Sequence, residues 1–448
     1  MTDDLSGIFK AYDVRGIYPD ELDEDVAGRI GAAFARFVDA DRVAVGRDMR
    51  PSSPALKEAF AEGAQSTGTT VLDLGLVSTD ALYFGSGTLD VPGAMFTASH
   101  NPPHYNGLKL CKSKASPIGQ ESGLADIRAA AEAGDGAFGD VTGGRQDLEI
   151  LDDYAEHCRS FVDTSSLRPF KVAIDAGNGM AGATVPRTFG PLPFEIEPLF
   201  FELDGTFPNH PANPIEAANV ADLQRVVRDE GCDIGIAFDG DADRMFLIDE
   251  KAQIVSGSLT TALVAERMLK KYPGEPIIYN LICSWVVPEV IESNGGHPIR
   301  TRVGHSFIKA EMARSGAVFG GEHSGHYYFR DNFRADSGMI AALLVLEAMS
   351  AADRPLSETL EPFKRYHASG EINSEVEDPN ASIEELAAAY SDGHQDTTDG
   401  LTVEYDDWWF NSRPSNTEPL LRLNLEATTE EIKDDKLEDV LAIIRKEA

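Results

Sequence analysis

Short apolar segments alternate with amphipathic segments along most of this chain, and this alternation restricts the possible fold more than any other feature of the sequence. Residues 43–48 and 71–75 have the composition of strands, whereas residues 24–41 and 53–67 have the apolar spacing of helices. The alternation returns further along, with strands predicted at residues 171–175, 234–238 and 276–281. Such a pattern favours α/β layers built on mainly parallel sheets.

The length of the chain requires several hydrophobic cores. Its 448 residues suggest three or four domains, at roughly 100–200 residues per domain. We place four: residues 1–145, 146–250 and 251–365 are α/β units, and residues 366–448 form an α+β domain. The first three share one alternation of strands and helices, which suggests an internal repeat.

The composition is strongly acidic. Asp and Glu number 75 against 39 Lys and Arg, which gives a formal net charge of −36. Nucleic acid and anionic membranes would be repelled, so we expect neither as a partner. An anionic substrate would have to meet a local concentration of Arg, Lys and His. A folded protein this acidic also repels itself unless counterions screen it, and we interpret the charge as a halophilic adaptation to a salt-rich cytoplasm.

The cysteines and the apolar runs indicate a cytoplasmic location. The cysteines are widely spaced and form no CxxC pair, which argues against a disulfide framework and a cysteine metal site; they are Cys111, Cys158, Cys232 and Cys283. No apolar run approaches the ~20 residues of a membrane helix, and the acidic start lacks the regions of a signal peptide. We therefore predict a cytoplasmic protein with buried thiols.

A polar loop follows the apolar segment at residues 91–96 and carries a candidate nucleophile, Ser99. A serine hydroxyl is a poor nucleophile at its ordinary pKa, so it needs a base, a metal or a covalent phosphate to react. His100 and Lys109 are the nearest ionisable groups. Taken alone, the segment could equally be a polar turn after a strand.

Three carboxylates follow the predicted strand at residues 234–238. Asp239, Asp241 and Asp243 stand at alternate positions, and a tight loop could direct all three at one hard cation such as Mg²⁺. A solvated acidic turn is the alternative. An EF-hand is a poorer match, because Arg244 occupies the sixth position of the loop, where Gly is required.

Two further loops suit a phosphosugar. The segment from Arg413 to Thr417 combines a guanidinium with short hydroxyl and amide donors, a set that suits phosphate. In residues 321–326, Glu322 and Ser324 suit sugar hydroxyls, and His326 suits proton transfer. Each loop alone could be a polar turn. Together the four loops supply a nucleophile, a cation site, a phosphate clamp and a sugar grip, which are the parts required for phosphoryl transfer to or from a phosphosugar.

The four loops, in their order along the chain, resemble those of the α-D-phosphohexomutase family, and the resemblance covers the whole chain. The motifs are Thr97-Ala98-Ser99-His100-Asn101-Pro102, Asp239-Gly240-Asp241-Ala242-Asp243-Arg244, Gly321-Glu322-His323-Ser324-Gly325-His326 and Arg413-Pro414-Ser415-Asn416-Thr417. The resemblance implies an α/β fold of four domains: three related units with mixed sheets around a central cleft, and a C-terminal α+β domain. It implies an enzyme that interconverts hexose 1-phosphate and hexose 6-phosphate through a phosphoserine and a bound hexose 1,6-bisphosphate.

The resemblance also implies the roles of individual residues. Ser99 would carry the phosphoryl group and, with the three aspartates, bind Mg²⁺; Lys109 and His326 would be the general acid and base. Arg15 and His100 would orient the phosphoryl group and Ser99. The substrate-binding set would be Tyr12, Arg244, His305, Glu322, Ser324, Arg413, Ser415, Asn416 and Thr417.

The loop at residues 321–326, which we call the sugar loop, indicates the branch of the family. The order Gly-Glu-His-Ser-Gly-His looks like the phosphomannomutase and dual phosphomannomutase/phosphoglucomutase branch, whereas the phosphoglucosamine branch usually has Gln where this chain has His323. The branch predicts mannose as the first substrate. Glu322 and Ser324 would bind O3 and O4, which mannose and glucose share, so we predict glucose as a second substrate. The alternatives are a phosphoglucosamine mutase, a Mg²⁺-dependent sugar phosphatase and a non-catalytic sugar-phosphate sensor. We expect a monomer or a homodimer.

Overall fold

A computed structural model describes residues 4–134, 140–414 and 420–445 of the chain. Four sheets follow one another along the sequence, and the predicted fold class is confirmed. The strands predicted at residues 43–48, 171–175, 234–238 and 276–281 are present to within two residues at each end. Among the described residues, no helix combines the length and the apolar character needed to cross a membrane.

The first unit contains a mixed sheet with the strand order β1-β5-β4-β2-β3-β7, and β6 pairs with β5. Its strands are β1 (Val14–Ile17), β2 (Arg42–Arg47), β3 (Thr70–Leu76), β4 (Gly93–Phe96), β5 (Tyr105–Lys112), β6 (Ser116–Pro117) and β7 (Arg145–Asp147). Its helices are α1 (Glu24–Val38), α2 (Ser53–Ser66), α3 (Thr79–Leu89) and α4 (Leu124–Glu132).

The second unit has the strand order β12-β11-β10-β8-β9. Its strands are β8 (Lys171–Asp175), β9 (Glu195–Leu199), β10 (Ile234–Phe238), β11 (Met245–Asp249) and β12 (Ile254–Val255), and its helices are α5 (Leu151–Arg159), α6 (Ala181–Phe189) and α7 (Ala221–Glu230).

The third unit has the strand order β14-β13-β15-β16. Its strands are β13 (Pro276–Asn280), β14 (His297–Thr301), β15 (Phe319–Gly321) and β16 (Tyr327–Phe329). Its helices are α8 (Gly257–Lys271), α9 (Val286–Ser293), α10 (His305–Ser315), α11 (Gly338–Ala352) and α12 (Leu356–Leu360).

The fourth unit differs from the others because every strand pairing in its sheet, among the described residues, is antiparallel. The strand order is β17-β21-β20-β19-β18. The strands are β17 (His367–Glu375), β18 (His394–Asp396), β19 (Leu401–Glu404), β20 (Trp408–Pro414) and β21 (Leu420–Ala427), and α13 (Pro379–Ala389) and α14 (Glu430–Arg445) cover the sheet.

The three α/β units present their site loops at the same topological position. In each, a strand inside the parallel part of the sheet (β4, β10 or β15) is followed by a polar loop and then by an antiparallel neighbour (β5, β11 or β16). Ligand sites in α/β sheets commonly lie at the carboxyl ends of such strands. The repeated position therefore supports the predicted internal repeat and brings three loops to comparable edges of their sheets.

Helix α11 packs between the second and third units, and Ser337 at its start donates a hydrogen bond to Asp80 of the first unit. It is buried on all sides from Gly338 to Ser350, the pattern of a helix in the centre of a large core. It packs against α8 of its own unit and against α5 and β11 of the second unit. One continuous hydrophobic cluster consequently extends from Ala44 in the first unit to Phe363 at the end of the third. The predicted buried thiols are part of these cores, because all of the cysteines are free and buried.

Candidate active site

The loop that carries Ser99 is held by a buried arginine. Arg50 is fully buried, and its guanidinium donates to four carbonyl oxygens of the loop: Ser99 O at 2.9 Å, Asn101 O at 2.6 Å, Pro102 O at 2.7 Å and Tyr105 O at 3.0 Å. Ser99 itself has φ +48°, a left-handed conformation that is uncommon for a residue with a side chain. Such a conformation persists only where the surroundings enforce it, and Arg50 supplies that constraint.

The hydroxyl of Ser99 faces the loop at residues 239–244 of the second unit, which we call the metal loop. Ser99 Oγ donates to Asp239 Oδ2 at 2.7 Å and lies 3.2 Å from His100 Nδ1 and 3.5 Å from Arg244 Nη2. Burial, together with the charges of Arg244 and Arg15, lowers the pKa of His100 well below its ordinary value. His100 is therefore neutral at pH 7 and can accept or donate one hydrogen bond beside the hydroxyl.

The three aspartates converge as their spacing predicts. Asp239, Asp241 and Asp243 each contribute one carboxylate oxygen to a group whose members all lie within 4.8 Å of one another. All three side chains are buried. Lys109 Nζ lies 2.7 Å from Asp241 Oδ2 and 2.6 Å from Asp243 Oδ2, so the predicted acid is bound to two of the three carboxylates. Thr79 Oγ1 donates to Asp241 Oδ2 at 2.6 Å.

The same charges set the protonation of this cluster. Burial would lower the pKa of Lys109, but Asp241 and Asp243 raise it well above its ordinary value, so Lys109 stays charged. Burial and the carboxylate of Asp241 raise the pKa of Asp243. The three carboxylates together therefore carry more negative charge than the single ammonium of Lys109 can balance.

The donor set fits a Mg²⁺ ion. Asp241 Oδ1 and Asp243 Oδ1 are buried oxygens with no hydrogen-bond partner among the described residues. Mg²⁺ takes carboxylate oxygens as ligands, and a buried oxygen atom without a partner is costly. Asp239, Asp241 and Asp243, with an oxygen on Ser99, are the residues that would hold the ion.

His326 reaches the cluster from the third unit. Arg244 and His326 form a backbone bridge between the two units. His326 Nδ1 lies 2.8 Å from Asp336 Oδ2 and 3.9 Å from Asp243 Oδ1. Burial would lower the pKa of His326, but the hydrogen bond to Asp336 and the nearby carboxylates raise it above its ordinary value. Asp336 therefore orients the ring and holds Nδ1 as the donor.

Neighbouring hydrogen-bond donors orient Glu322, one of the two residues predicted to bind the sugar. Glu322 Oε2 accepts from Tyr328 Oη at 2.7 Å, and its Oε1 accepts from Gly304 N at 3.0 Å. Glu322 is buried, whereas Ser324 is half-buried and its hydroxyl makes no hydrogen bond to another residue that the structure describes. One residue of the pair is thus oriented by the protein, and the other is accessible.

Tyr12 lies where the first, third and fourth units approach one another. Burial and the carboxylates of Asp399 and Glu322 raise its pKa, and Arg302 and Arg413 oppose this effect. Arg15 of the same segment donates to Ala98 O at 3.3 Å and to Asn101 Oδ1, both in the Ser99 loop. The predicted residues of the N-terminal segment therefore contact the nucleophile loop and lie near the sugar loop.

The phosphate clamp is described only in part. Arg413 Nη2 donates to Glu371 Oε2 at 2.8 Å, and its buried Nε has no hydrogen-bond partner among the described residues. The predicted clamp residues Ser415, Asn416 and Thr417 lie outside the described residues. His305 is the first residue of α10, so the segment 303–309 is largely helical; the side chain of His305 also lies outside the description.

Several residues of this site carry no signal that sequence reasoning used. Arg50, Thr79, Tyr328 and Asp336 each orient one of the predicted residues. A weak indication exists for Arg50, because the order Arg47-Asp48-Met49-Arg50 follows a strand and a buried arginine needs several acceptors. Thr79, Tyr328 and Asp336 act across the fold or a hairpin, and only the structure reveals their partners.

Comparison with family models places known domains along the whole chain. Phosphoglucomutase/phosphomannomutase alpha/beta/alpha domain I matches residues 6–136, domain II residues 152–253 and domain III residues 256–366. The phosphoglucomutase/phosphomannomutase C-terminal domain matches residues 371–443.

Comparison with individual proteins gives matches of nearly full length. The chain is 43% identical over 422 residues to the phosphohexose mutases of Xanthomonas campestris, covering 93% of this chain and 94% of the relative. It is 39% identical over 452 residues to an Escherichia coli phosphomannomutase, covering 98% and 99%. A crystal structure of a phosphoglucomutase/phosphomannomutase family protein from Burkholderia thailandensis superposes with a TM-score of 0.88 at 33% identity, covering 99% of this chain and 98% of the other.

Proposed function

The chain belongs to the phosphoglucomutase/phosphomannomutase family, and from this premise we propose that it interconverts hexose 1-phosphate and hexose 6-phosphate by way of a phosphate on Ser99. The observation that carries the proposal is the 2.7 Å contact between Ser99 Oγ and Asp239 Oδ2, because it joins the nucleophile of one unit to the carboxylate cluster of another. A hydroxyl in such a place can receive and return a phosphoryl group.

The reaction needs charge compensation at the transferring phosphoryl group. When bound by Asp239, Asp241 and Asp243, Mg²⁺ would supply Lewis-acid compensation of the phosphate oxygens. Arg244 contributes a fixed positive charge, since its Nε lies 2.9 Å from Asp239 Oδ2 and its Nη2 lies 3.5 Å from Ser99 Oγ. Arg50 and Arg15 keep the loop in place, so the geometry is formed before substrate binds.

Phosphoryl transfer exchanges one P–O bond for another. A hydroxyl oxygen of the sugar attacks the phosphorus of phosphoserine 99, the Oγ–P bond breaks, and Ser99 Oγ takes a proton. The bound hexose 1,6-bisphosphate then turns in the cleft and returns its other phosphoryl group to Ser99 by the same exchange in reverse.

We assign the base and the acid by their electrostatic surroundings. His326 can take the proton of the attacking hydroxyl, because Asp336 holds its Nδ1 and leaves Nε2 as the basic nitrogen. Lys109 is charged at rest between Asp241 and Asp243, so its ammonium can give Ser99 Oγ the proton that this oxygen takes as it leaves phosphorus. The acid comes from the first unit and the base from the third, and the carboxylates beside them come from the second.

Mannose phosphate is the substrate that we propose first, with glucose phosphate as the second. Glu322 is prepared by Tyr328 and Gly304 to accept two sugar hydroxyls, and this contact does not distinguish the two sugars at C2. The relatives named phosphomannomutase favour mannose. Arg413 would bind the phosphate that is not transferred, once a substrate competes with Glu371 for its guanidinium.

The proposal is tested by incubating the purified protein with Mg²⁺, a trace of hexose 1,6-bisphosphate and, separately, mannose, glucose and glucosamine 1-phosphates. We expect mannose 6-phosphate to form fastest, with glucose 6-phosphate second. Release of inorganic phosphate faster than isomerisation would identify a phosphatase instead. Preference for glucosamine 1-phosphate would contradict the branch assignment.

A further inference from the structure

A cavity outside the site described above lies between the first and third units. It has a volume of about 500 Å³ and is bounded by the β5–β6 turn on one side and by α10 and the loop at 333–334 on the other. It shares Tyr12 with the predicted substrate-binding set, but Ser99, the three aspartates, Glu322 and His326 do not line it. Its volume lies within the range of about 300–1,000 Å³ typical of small-molecule sites.

The walls of the cavity are positively charged in a protein of net charge −36. Lys114, Arg302 and Arg334 line it, and none of the three forms an ion pair with a residue that the structure describes. Arg302 lies instead over the ring of Phe307, 4.5 Å from its centroid. The single carboxylate on the wall is Glu121. Cations that remain unpaired where acids outnumber them about two to one create a local positive potential that attracts anions.

The floor of the cavity is a buried lysine. Lys309 is 3% exposed and lies over the ring of Tyr83 at 3.9 Å. Its Nζ is 3.0 Å from Asp336 Oδ1, but the ammonium has no partner in hydrogen-bond geometry within the described part of the chain. This buried ammonium has three donors, and the ion pair with Asp336 Oδ1 does not engage all of them; donors that stay unused cost free energy. An anion in the cavity would satisfy them.

From these observations we propose that the cavity binds a small phosphorylated metabolite that bridges the first and third units. Guanidinium groups pair with phosphate through two parallel hydrogen bonds, and lysine ammonium groups bind it as point charges. Lys114 from one unit and Arg334 from the other would hold the phosphoryl oxygens at the mouth, and Lys309 would meet them from below.

The site is coupled to the active site through two contacts. Lys309 binds Asp336 Oδ1, and Asp336 Oδ2 binds His326 Nδ1 at 2.8 Å. An anion that draws Lys309 away from Asp336 changes how the imidazole is held, so the bound metabolite alters kcat. This regulatory consequence rests on the proposed function, whereas the binding site does not.

The binding experiment is calorimetric titration of the full chain with inorganic pyrophosphate, without Mg²⁺, in 0.1 M KCl. The test variant is Lys114→Gln/Arg334→Gln, and the matched control is Lys114→Arg/Arg334→Lys, which keeps both charges. We expect the wild type and the control to bind pyrophosphate at a site that is lost, or at least tenfold weaker, in the test variant. Equal stoichiometry and affinity in all three proteins would overturn the proposal.

Folding and catalysis are separate readouts. Neither Lys114 nor Arg334 belongs to the catalytic machinery, so the thermal midpoint and the mutase rate without pyrophosphate should be unchanged in both variants. Pyrophosphate should lower kcat in the wild type and in the charge-retaining control but not in Lys114→Gln/Arg334→Gln. An equal loss of kcat in all three would overturn the coupling. A wild type without mutase activity would contradict the proposed function and leave the titration readable.

A second titration, with mannose 6-phosphate, identifies the source of the phosphoryl group. If the test variant loses a mannose 6-phosphate site that the control retains, the reaction's own substrate occupies the cavity. If mannose 6-phosphate binds alike to all proteins while the pyrophosphate site is lost, the cavity serves a different phosphorylated metabolite. Both results support the site.

Discussion

At the scale of single residues, the chemistry of the site depends on groups that hold other groups in place. Ser99, His100 and the three aspartates could be found from the sequence, because their types and spacing carry the chemistry themselves. Arg50, Tyr328 and Asp336 could not be assigned, because a residue that positions another has no motif of its own. Their roles follow from tertiary contacts with residues 6 to 55 positions away in the sequence.

Replacement of Arg50 should disable the Ser99 loop. Arg50→Met leaves the buried carboxylate of Asp48 without its cation and four loop carbonyls without their donors. Breaking a buried ion pair costs about 3–5 kcal/mol, so we expect a loss of that size in the free energy of unfolding, measured in urea. Arg50→Lys should recover part of the stability but not the phosphorylation of Ser99.

The matched control for Arg50 is Arg36→Met on α1. Arg36 is exposed and forms no ion pair within the described part of the chain, so its loss should change the free energy of unfolding by no more than about 0.5 kcal/mol. Normal phosphorylation of Ser99 in Arg50→Met would show that the arginine does not constrain the loop.

At the scale of elements, the proposed site lies at strand-to-loop junctions, and the sequence predicted these junctions well. Each site loop follows a short buried strand, and such strands are recognisable from their apolar runs. The start of α10 is not evident from the sequence, because Gly304 precedes it and no side chain caps the helix. The structure begins the helix at His305, directly after Gly304 with φ +131°.

The contact between two of these junctions can be tested at Gly240. A Cβ atom at this position would lie 2.4 Å from the carbonyl oxygen of Ser99, so only glycine lets the metal loop approach the nucleophile loop. Gly240→Ala should separate the two loops and lower kcat/KM at least a hundredfold, which is about 3 kcal/mol of transition-state stabilisation. Gly7→Ala is the control, because nothing lies within 4 Å of its Cβ position. Wild-type kinetics in Gly240→Ala would disprove the close contact.

A buried carboxylate links α3 to the start of α11. Asp80 accepts hydrogen bonds from Ser78, Tyr154 and, at 2.7 Å, Ser337, the residue that caps α11. Burial raises its pKa to about 6, against the effect of these donors. Because the folded-state pKa is raised, the contribution of Asp80 to stability is present below about pH 4 and is lost as the pH rises through 6.

The size of this effect is about 3 kcal/mol, from a shift of roughly two pKa units. Comparing the free energies of unfolding of the wild type and Asp80→Asn between pH 4 and pH 7 isolates it from other titrating groups. The difference should move by about 3 kcal/mol in favour of the variant as the pH rises. A difference that is independent of pH would contradict the raised pKa.

At the scale of the whole molecule, the number of units and their order were predictable, whereas their arrangement around α11 was not. Alternating strands and helices define each unit locally, but a helix that is buried on all sides has no polar face to show where it lies. The clamp residues 415–417 remain a prediction from the sequence.

The net charge of −36 belongs to this scale as well. Self-repulsion among surface carboxylates is screened within about 10 Å at 0.1 M salt and within about 3 Å at 1 M. We therefore expect the thermal midpoint to rise steadily between low and molar KCl. A midpoint that does not change with KCl would contradict the halophilic interpretation.

The central claim is that loops from separate units meet at one hydroxyl that carries the phosphoryl group. The most direct measurement is incubation with hexose 1,6-bisphosphate labelled in its phosphates, followed by peptide mapping of the protein. The account predicts label on Ser99 in the wild type and none in Ser99→Ala, which should also lose isomerase activity. Label on another residue, or a Ser99→Ala variant that isomerises at a near-normal rate, would contradict it.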